Sequence, residues 1–131
     1  KAVALKPENP IYTHNLADVY ADKGQFAEAR QILQRFTQAY PNHGYIHIHL
    51  LLANLYSKNA DWKKVASECE QAVKIDENSI AAYKLLGITY YTMNQYELAE
   101  KTVNKYLTLN PNDQEAQALL VKISNKIKGN L

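Results

Sequence analysis

Three of the four histidines fall in one seven-residue run, His43-Gly44-Tyr45-Ile46-His47-Ile48-His49, and imidazole is the commonest metal ligand. His43 and His47 are four apart, a spacing that suits two ligands on one helical face. His43 falls in a loop, however, and on a helix His47 and His49 point about 200° apart. With no Cys or acidic residue close by in the sequence, the run reads as surface or packed histidine and no metal site is expected. The single cysteine, Cys69, falls on the packed face of a helix and reads as a small buried hydrophobe, not a thiolate. The chain contains no G-x-x-x-x-G-K-[ST], G-x-S-x-G or H-E-x-x-H. No nucleophile, metal or phosphate-binding constellation survives, so the expectation is a chain that is not an enzyme and carries no cofactor.

The elements that hold these residues follow from composition and periodicity. A length of 131 residues suits one domain or a short array, long enough to bury a core without disulfide or metal staples. Hydrophobic residues make up 47% and charged residues 21%, which is globular composition and not that of a disordered tail. The formal charge of +2 predicts neither nucleic-acid nor membrane-surface binding. Four Gly and four Pro are too few turn residues for a β-sandwich and point to helices. The densest apolar run, Ile46 to Leu55, is broken by His47, His49 and Asn54, so no membrane insertion is expected. Lys1 follows no initiator Met and no apolar leader, and is read as a cut inside a longer protein.

Internal repetition then dominates. Leu16, Leu52, Leu86 and Leu120 are spaced 36, 34 and 34 apart. Tyr20, Tyr56 and Tyr90 follow the first three of them by four residues, and a small residue (Ala17, Ala53, Gly87) follows each directly. Ala29, Val65 and Ala99 keep the register, as do Phe36, Ala72 and Tyr106, and Pro7, Pro41, Glu77 and Pro111 close the units. Tyr12, Leu16, Val19, Tyr20 and Lys23 recur at three and four residues, the spacing of one helical face; Phe26, Ala29, Leu33 and Phe36 repeat it. Small residues at Ala17, Ala53 and Gly87 let a paired helix approach closely.

Turn chemistry places the boundaries. Gly24, Asn59 or Ala60, and Asn94 lie where each first helix must reverse, and Gly or Asn tolerates the left-handed conformation that ends a helix. Asn9 before Pro10 supplies an N-cap, and Asp113 followed by Glu115 supplies another. Helices are therefore predicted over 10–23, 26–39, 46–58, 62–75, 80–92, 96–109 and 114–127.

This pattern resembles the tetratricopeptide repeat (TPR) family, a helix-turn-helix of roughly 34 residues with W-x2-L-G-x2-Y, then A-x3-F, then P. The third unit matches best, with Tyr83, Leu86, Gly87, Tyr90, Ala99, Val103 and Pro111 in register. The first unit supplies Thr13, Leu16, Ala17, Tyr20, Ala29, Leu33 and Pro41. The middle unit departs most, with Val65, Cys69 and Glu77 at the Ala, aromatic and Pro positions and two extra residues near Gly44 and Tyr45. The resemblance implies an all-α fold of TPR helix-turn-helix repeats stacked as a right-handed α-solenoid. The 1–131 array divides into the end of a preceding repeat (1–9), repeats at 10–43, 46–79 and 80–113, and a C-terminal capping helix at 114–128. His49 and Cys69 take slots of core aromatics, and most of the ten tyrosines sit at repeat positions that imply a place in the core.

The resemblance also implies a non-catalytic interaction module that binds a partner peptide or helix in a concave groove lined by the first helix of each pair. Carried over by register, the groove presents Ile11, His14 and Asp18, then His47, Leu50, Asn54 and Lys58. Lys84, Ile88 and Tyr91 continue it, and Lys122 lies at its end. Ile11, Leu50, Ile88 and Tyr91 form an apolar strip that a partner would cover. One subtype clamps the C-terminal carboxylate of a chaperone tail, but its positions here hold His14, Asp18, Leu51, Ala81 and Leu85. Four of these five cannot donate a charged hydrogen bond and Asp18 repels a carboxylate, so that clamp is not expected. Asp18, Asn54 and Ile88 are equivalent positions and make no base-reading series, so nucleic acid is not expected as a partner. The alternatives to groove binding are a structural spacer or self-association unit, or the regulatory arm of an enzyme whose catalytic domain lies outside this chain. Self-association is expected through the cut N-terminal end, where Lys1 to Leu5 lacks a paired helix and Ile11, Tyr12 and Leu16 lose cover.

Overall fold

A computed structural model describes residues 9–129. Among them all regular structure is helical: α1 (Pro10–Asp22), α2 (Phe26–Ala39), α3 (Ile46–Lys58), α4 (Trp62–Ile75), α5 (Ile80–Thr92), α6 (Tyr96–Leu109) and α7 (Gln114–Gly129). The predicted boundaries hold to within two residues: α1 stops one residue early and α7 runs two further. Helices α1 and α2, α3 and α4, and α5 and α6 pack as hairpins; α2 and α1 also rest on α3, α4 rests on α5, and α7 closes on α6.

The hairpins share one turn design. Gly24, Ala60 and Asn94 have φ of 79°, 56° and 63°, the left-handed conformation in which a chain can fold back over a helix end. The next amide, on Gln25, Asp61 and Gln95, donates to the carbonyl of Tyr20, Tyr56 and Tyr90 at 2.9, 3.1 and 2.9 Å. The left-handed residue itself donates to Ala21, Ser57 and Tyr91 at 2.9, 3.0 and 3.0 Å. These paired bonds satisfy carbonyls that the helix end leaves orphaned. The N-caps are less uniform. Asn9 accepts from the amides of Ile11 and Tyr12, and Asp113 from that of Ala116. Ser79, unremarked in the sequence, accepts from Ala82.

The core runs the length of the array. Ala17, Ala53 and Gly87 are buried, and Gly87 lies directly against Val103 of α6. The structure corrects the predicted stripe on α1: Thr13 and Ala17 are buried, whereas Tyr12 is 65% and Val19 49% exposed. Helix α1 meets α2 and α3 through its narrow, small-residue side, so the wider apolar arc lies partly in water.

Most tyrosines lie in the core or pack against it, as their repeat positions imply. Tyr56, Tyr90 and Tyr106 are buried; Tyr12 and Tyr45 are exposed and the other five are half-buried. A phenol satisfies its hydroxyl most easily at the edge of a core, and even the buried ones reach out. Tyr56 accepts from Gln34, Tyr90 donates to Glu70 and Tyr106 to Asp113. His49 is buried in its core slot and Cys69 is fully buried. The expectation for Lys1 to Leu5 falls outside the described residues.

Candidate functional site

The first helices of successive hairpins create two concavities on the face assigned to the groove. The larger, about 450 Å3, lies where the first turns of α1 and α3 meet. Pro10, Ile11, His14 and Asn15 line one wall, and Gly44, Tyr45, Ile46, His47 and Ile48 the other. His14 and His47, 33 residues apart in sequence, face each other with ring centroids 6.0 Å apart at 63°, edge to face. Neither first turn carries an acidic residue. The wall is therefore mostly apolar, with the two imidazoles, the Asn15 amide and the Tyr45 phenol as its polar side chains.

The smaller concavity, about 70 Å3, is lined by Tyr83, Lys84 and Ile88 of α5, Val103 and Tyr106 of α6, and Glu115, Ala116 and Leu119 of α7. Beside it Asp113 acts as a hub. It accepts from Tyr106 Oη and from the Ala116 amide, and Lys84 Nζ lies 3.4 Å from its carboxylate. The Tyr106 hydroxyl, the amide and the ammonium hold the Asp113 carboxyl below its ordinary range, and Asp113 in turn pushes the Lys84 ammonium up. Lys84 is thus partly committed to its own fold.

Of the residues assigned to the groove by register, the structure brings Ile11, His14 and His47 into the first concavity, and Lys84 and Ile88 into the second. Asp18, Leu50, Asn54, Lys58, Tyr91 and Lys122 line neither. Asp18, Asn54, Lys58 and Lys122 are exposed, while Leu50 and Tyr91 are half-buried. Lys58 Nζ sits 5.1 Å from the Phe26 ring centroid and Tyr91 packs on Tyr96 at 5.8 Å, so both lean toward the second helix of their own or the neighbouring hairpin. The apolar strip is accordingly uneven: Ile11 is 68% and Ile88 40% exposed.

Register reasoning missed the turn 40–45, which forms part of the larger concavity. His43 Nδ1 accepts from the Tyr45 amide at 2.9 Å, and its ring stacks on that of His49 at 4.6 Å. His49 Nδ1 in turn hydrogen-bonds Glu68 at 2.7 Å. Burial, then the neighbouring His49, lowers the His43 pKa against an opposing pull from Glu68. A cleft of about 340 Å3 on the other side of α3 is lined by Gln34, Thr37, Gln38, Leu52, Tyr56, Lys64 and Glu68. Burial and the nearby Glu68 and Glu70 push the Cys69 thiol up to about 12, which leaves it inert as a nucleophile. No three His, Cys, Asp or Glu side chains converge as a metal would require among the described residues.

A tetratricopeptide repeat model matches residues 1–55 and 56–123. The chain belongs to the tetratricopeptide repeat family. Its architecture is an all-α TPR solenoid, and solved TPR structures superpose closely on it. The first TPR domain of Spaghetti (RPAP3), bound to the HSP90 peptide SRMEEVD, has a TM-score of 0.82 at 23% identity over 94% of this chain and 96% of that one. The first TPR domain of human RPAP3 gives 0.76 at 23% identity, covering 95% and 96% of the two chains. A MamA RS-1 ArsTM double mutant gives 0.81 at 16% identity, covering 90% of this chain and 65% of that one. In sequence, the DnaJ homolog subfamily C member 3 homolog of Dictyostelium discoideum is 27% identical over 81 residues. That match covers 62% of this TPR chain and 16% of the relative's length. No described helix is long and apolar enough to cross a membrane.

Proposed function

We propose that this TPR array is a non-catalytic interaction module that holds a partner peptide on the face formed by α1, α3, α5 and α7. The observation that carries this reading is the concavity between α1 and α3, where exposed Ile11 and the His14–His47 pair border a space large enough for a bulky side chain. Ile88 and Lys84 at the second concavity give the same face a further contact about two helices on. A TPR neighbour that binds an HSP90 peptide supports peptide binding as a class. The carboxylate-clamp positions, with Asp18, Leu51, Ala81 and Leu85 among them, argue for a different peptide chemistry, one led by an apolar side chain.

Panning a phage-displayed heptapeptide library on the protein tests this. Selected peptides should bind the wild type and lose about tenfold or more in affinity with Ile11→Ser, His47→Ala or Ile88→Ser, at unchanged helical circular dichroism. Asn54→Ala and Leu50→Ser with Tyr91→Ser probe the middle of the face. Selected peptides indifferent to every one of these changes would place binding elsewhere.

Self-association is the second reading, favoured by Ile11, Tyr12 and Val19, which are all exposed on α1. Sedimentation at rising concentration should show association that Tyr12→Ser with Val19→Ser weakens. A strict monomer at about millimolar concentration, where a contact worth about 4 kcal/mol would be seen, ends that reading.

A further inference from the structure

One hydrogen bond of the turn joining α2 to α3 depends on a lone pair, while a second runs from the His43 amide to the Tyr40 carbonyl at 3.1 Å. His43 Nδ1 accepts the Tyr45 amide at 2.9 Å, so in the neutral ring the proton sits on Nε2, which is buried without a partner. Gly44 between them takes φ 70°, and Gly44, Tyr45 and Ile46 form part of the wall of the larger concavity. Adding a proton to His43 can only occupy Nδ1. The acceptor becomes a donor, facing the Tyr45 N–H, and that bond is lost.

The surroundings oppose that proton, so the turn is closed near neutrality. From α2 the His43 ring meets Phe36 at 5.3 Å and, within the turn, Tyr45 at 5.9 Å, neither of which carries charge near neutrality. From α3 it meets His49, stacked at 4.6 Å and 22°. From α4 comes Glu68, whose carboxylate is engaged by His49. Burial of the ring and then the stacked His49 disfavour a charge on His43, against an opposing pull from Glu68.

We propose that His43 is an acid-sensitive catch on the peptide-binding face: its protonation frees Tyr45, opens the turn 40–45 and reshapes the α1–α3 concavity. Regulation of binding in this way rests on the peptide-binding reading above, whereas opening of the turn does not. As His43 favours the neutral form in the closed turn, its contribution to closure is fully present above the ordinary histidine value of about 6.5 and is lost as pH falls through the lower value of the closed turn.

The test is an NMR titration of the full chain from about pH 7.5 to about pH 5, the range in which histidine changes charge. It reads His43 Cε1 and the amides of Tyr45, Ile46 and His47. The Tyr45 amide should move with the His43 midpoint, and its hydrogen exchange, corrected for the intrinsic pH effect, should accelerate about tenfold. His43→Asn keeps an acceptor oxygen near the Nδ1 position and does not titrate, so its Tyr45 amide should stay put. A heptapeptide selected at about pH 7.5 should lose about tenfold in affinity at about pH 5 on the wild type and keep it on His43→Asn. A Tyr45 amide that stays still while His43 titrates overturns the proposal, as does His43→Asn reproducing the wild-type shifts. Equal peptide affinity at both pH values with a moving Tyr45 overturns its regulatory half. Failure to select any peptide sinks the peptide-binding reading instead, and the Tyr45 titration still decides the catch.

Discussion

A Cβ placed on Gly87 would lie 2.7 Å from Val103 Cγ2. Glycine in a helix interior costs up to about 1 kcal/mol against alanine, yet here it is what lets α5 and α6 touch. Val103 is β-branched and holds one strongly preferred rotamer in a helix, so it cannot swing aside freely. Overpacking costs of about 1–3 kcal/mol outweigh the propensity gain. Gly87→Ala is therefore expected to lower stability and Gly87→Leu to lower it further, while Lys63→Ala changes little. Val103→Ala introduced into Gly87→Ala should recover part of the loss. Urea denaturation checks the series, and a Gly87→Ala protein as stable as the wild type would refute the contact.

The three hairpin turns offer a paired sign test. Gly24 and Ala60 occupy the same left-handed position, and the space around Gly24 is open. Conformation alone then decides: Gly24→Ala should cost about 1 kcal/mol. Ala60→Gly should stabilise by about 0.5 kcal/mol, the relief of left-handed strain less the extra freedom of an unfolded glycine. Thermal melts showing both substitutions with the same sign would contradict this account.

Asp113 should leave a signature in acid. Its carboxyl is held below the usual value, chiefly by the Tyr106 hydroxyl and then the Ala116 amide. The sign follows: its contribution is present above the unfolded value of about 3.9 and is lost as pH falls through the lower folded value. Asp113→Ala should reduce stability near neutrality, fray the start of α7 and flatten the acid limb of the stability curve. An unaltered acid limb would show that the hub carries no linked proton.

Cys69 should be silent until the protein opens. With its thiol at about 12 and no exposed surface, only about one molecule in ten thousand carries a thiolate at pH 8. Maleimide labelling in native buffer should be slow and should rise along the urea unfolding curve. Labelling at the rate of a free thiol before unfolding would place Cys69 outside the core.

Helix ends and turns were legible in the sequence because their causes are local. Asn9 and Pro10, Gly24, Asn94 and Asp113 act through backbone groups a few residues away, so their identities and spacing suffice, whereas the choice of Ala60 over Asn59 for the left-handed position in the middle turn came only from the structure. The small residues at Ala17, Ala53 and Gly87 betrayed the hairpin contacts because each recurs in register beside a leucine. The exposure of Tyr12 and Val19 was not legible: a stripe of apolar residues is wider than the line along which two helices touch, and only packing decides which edge is covered. The candidate site was half-legible for the same reason. Register put Ile11, His14 and His47 on one face, but the meeting of His14 with His47 spans two repeats. The hold of His43 on Tyr45, the stack on His49 and the tie from His49 to Glu68 arise where the irregular turn 40–45 folds onto α4. The first of these is two residues long and the last crosses nineteen. No periodic pattern encodes such contacts, because each depends on where a side chain ends up in space and not on where its Cα falls in the repeat.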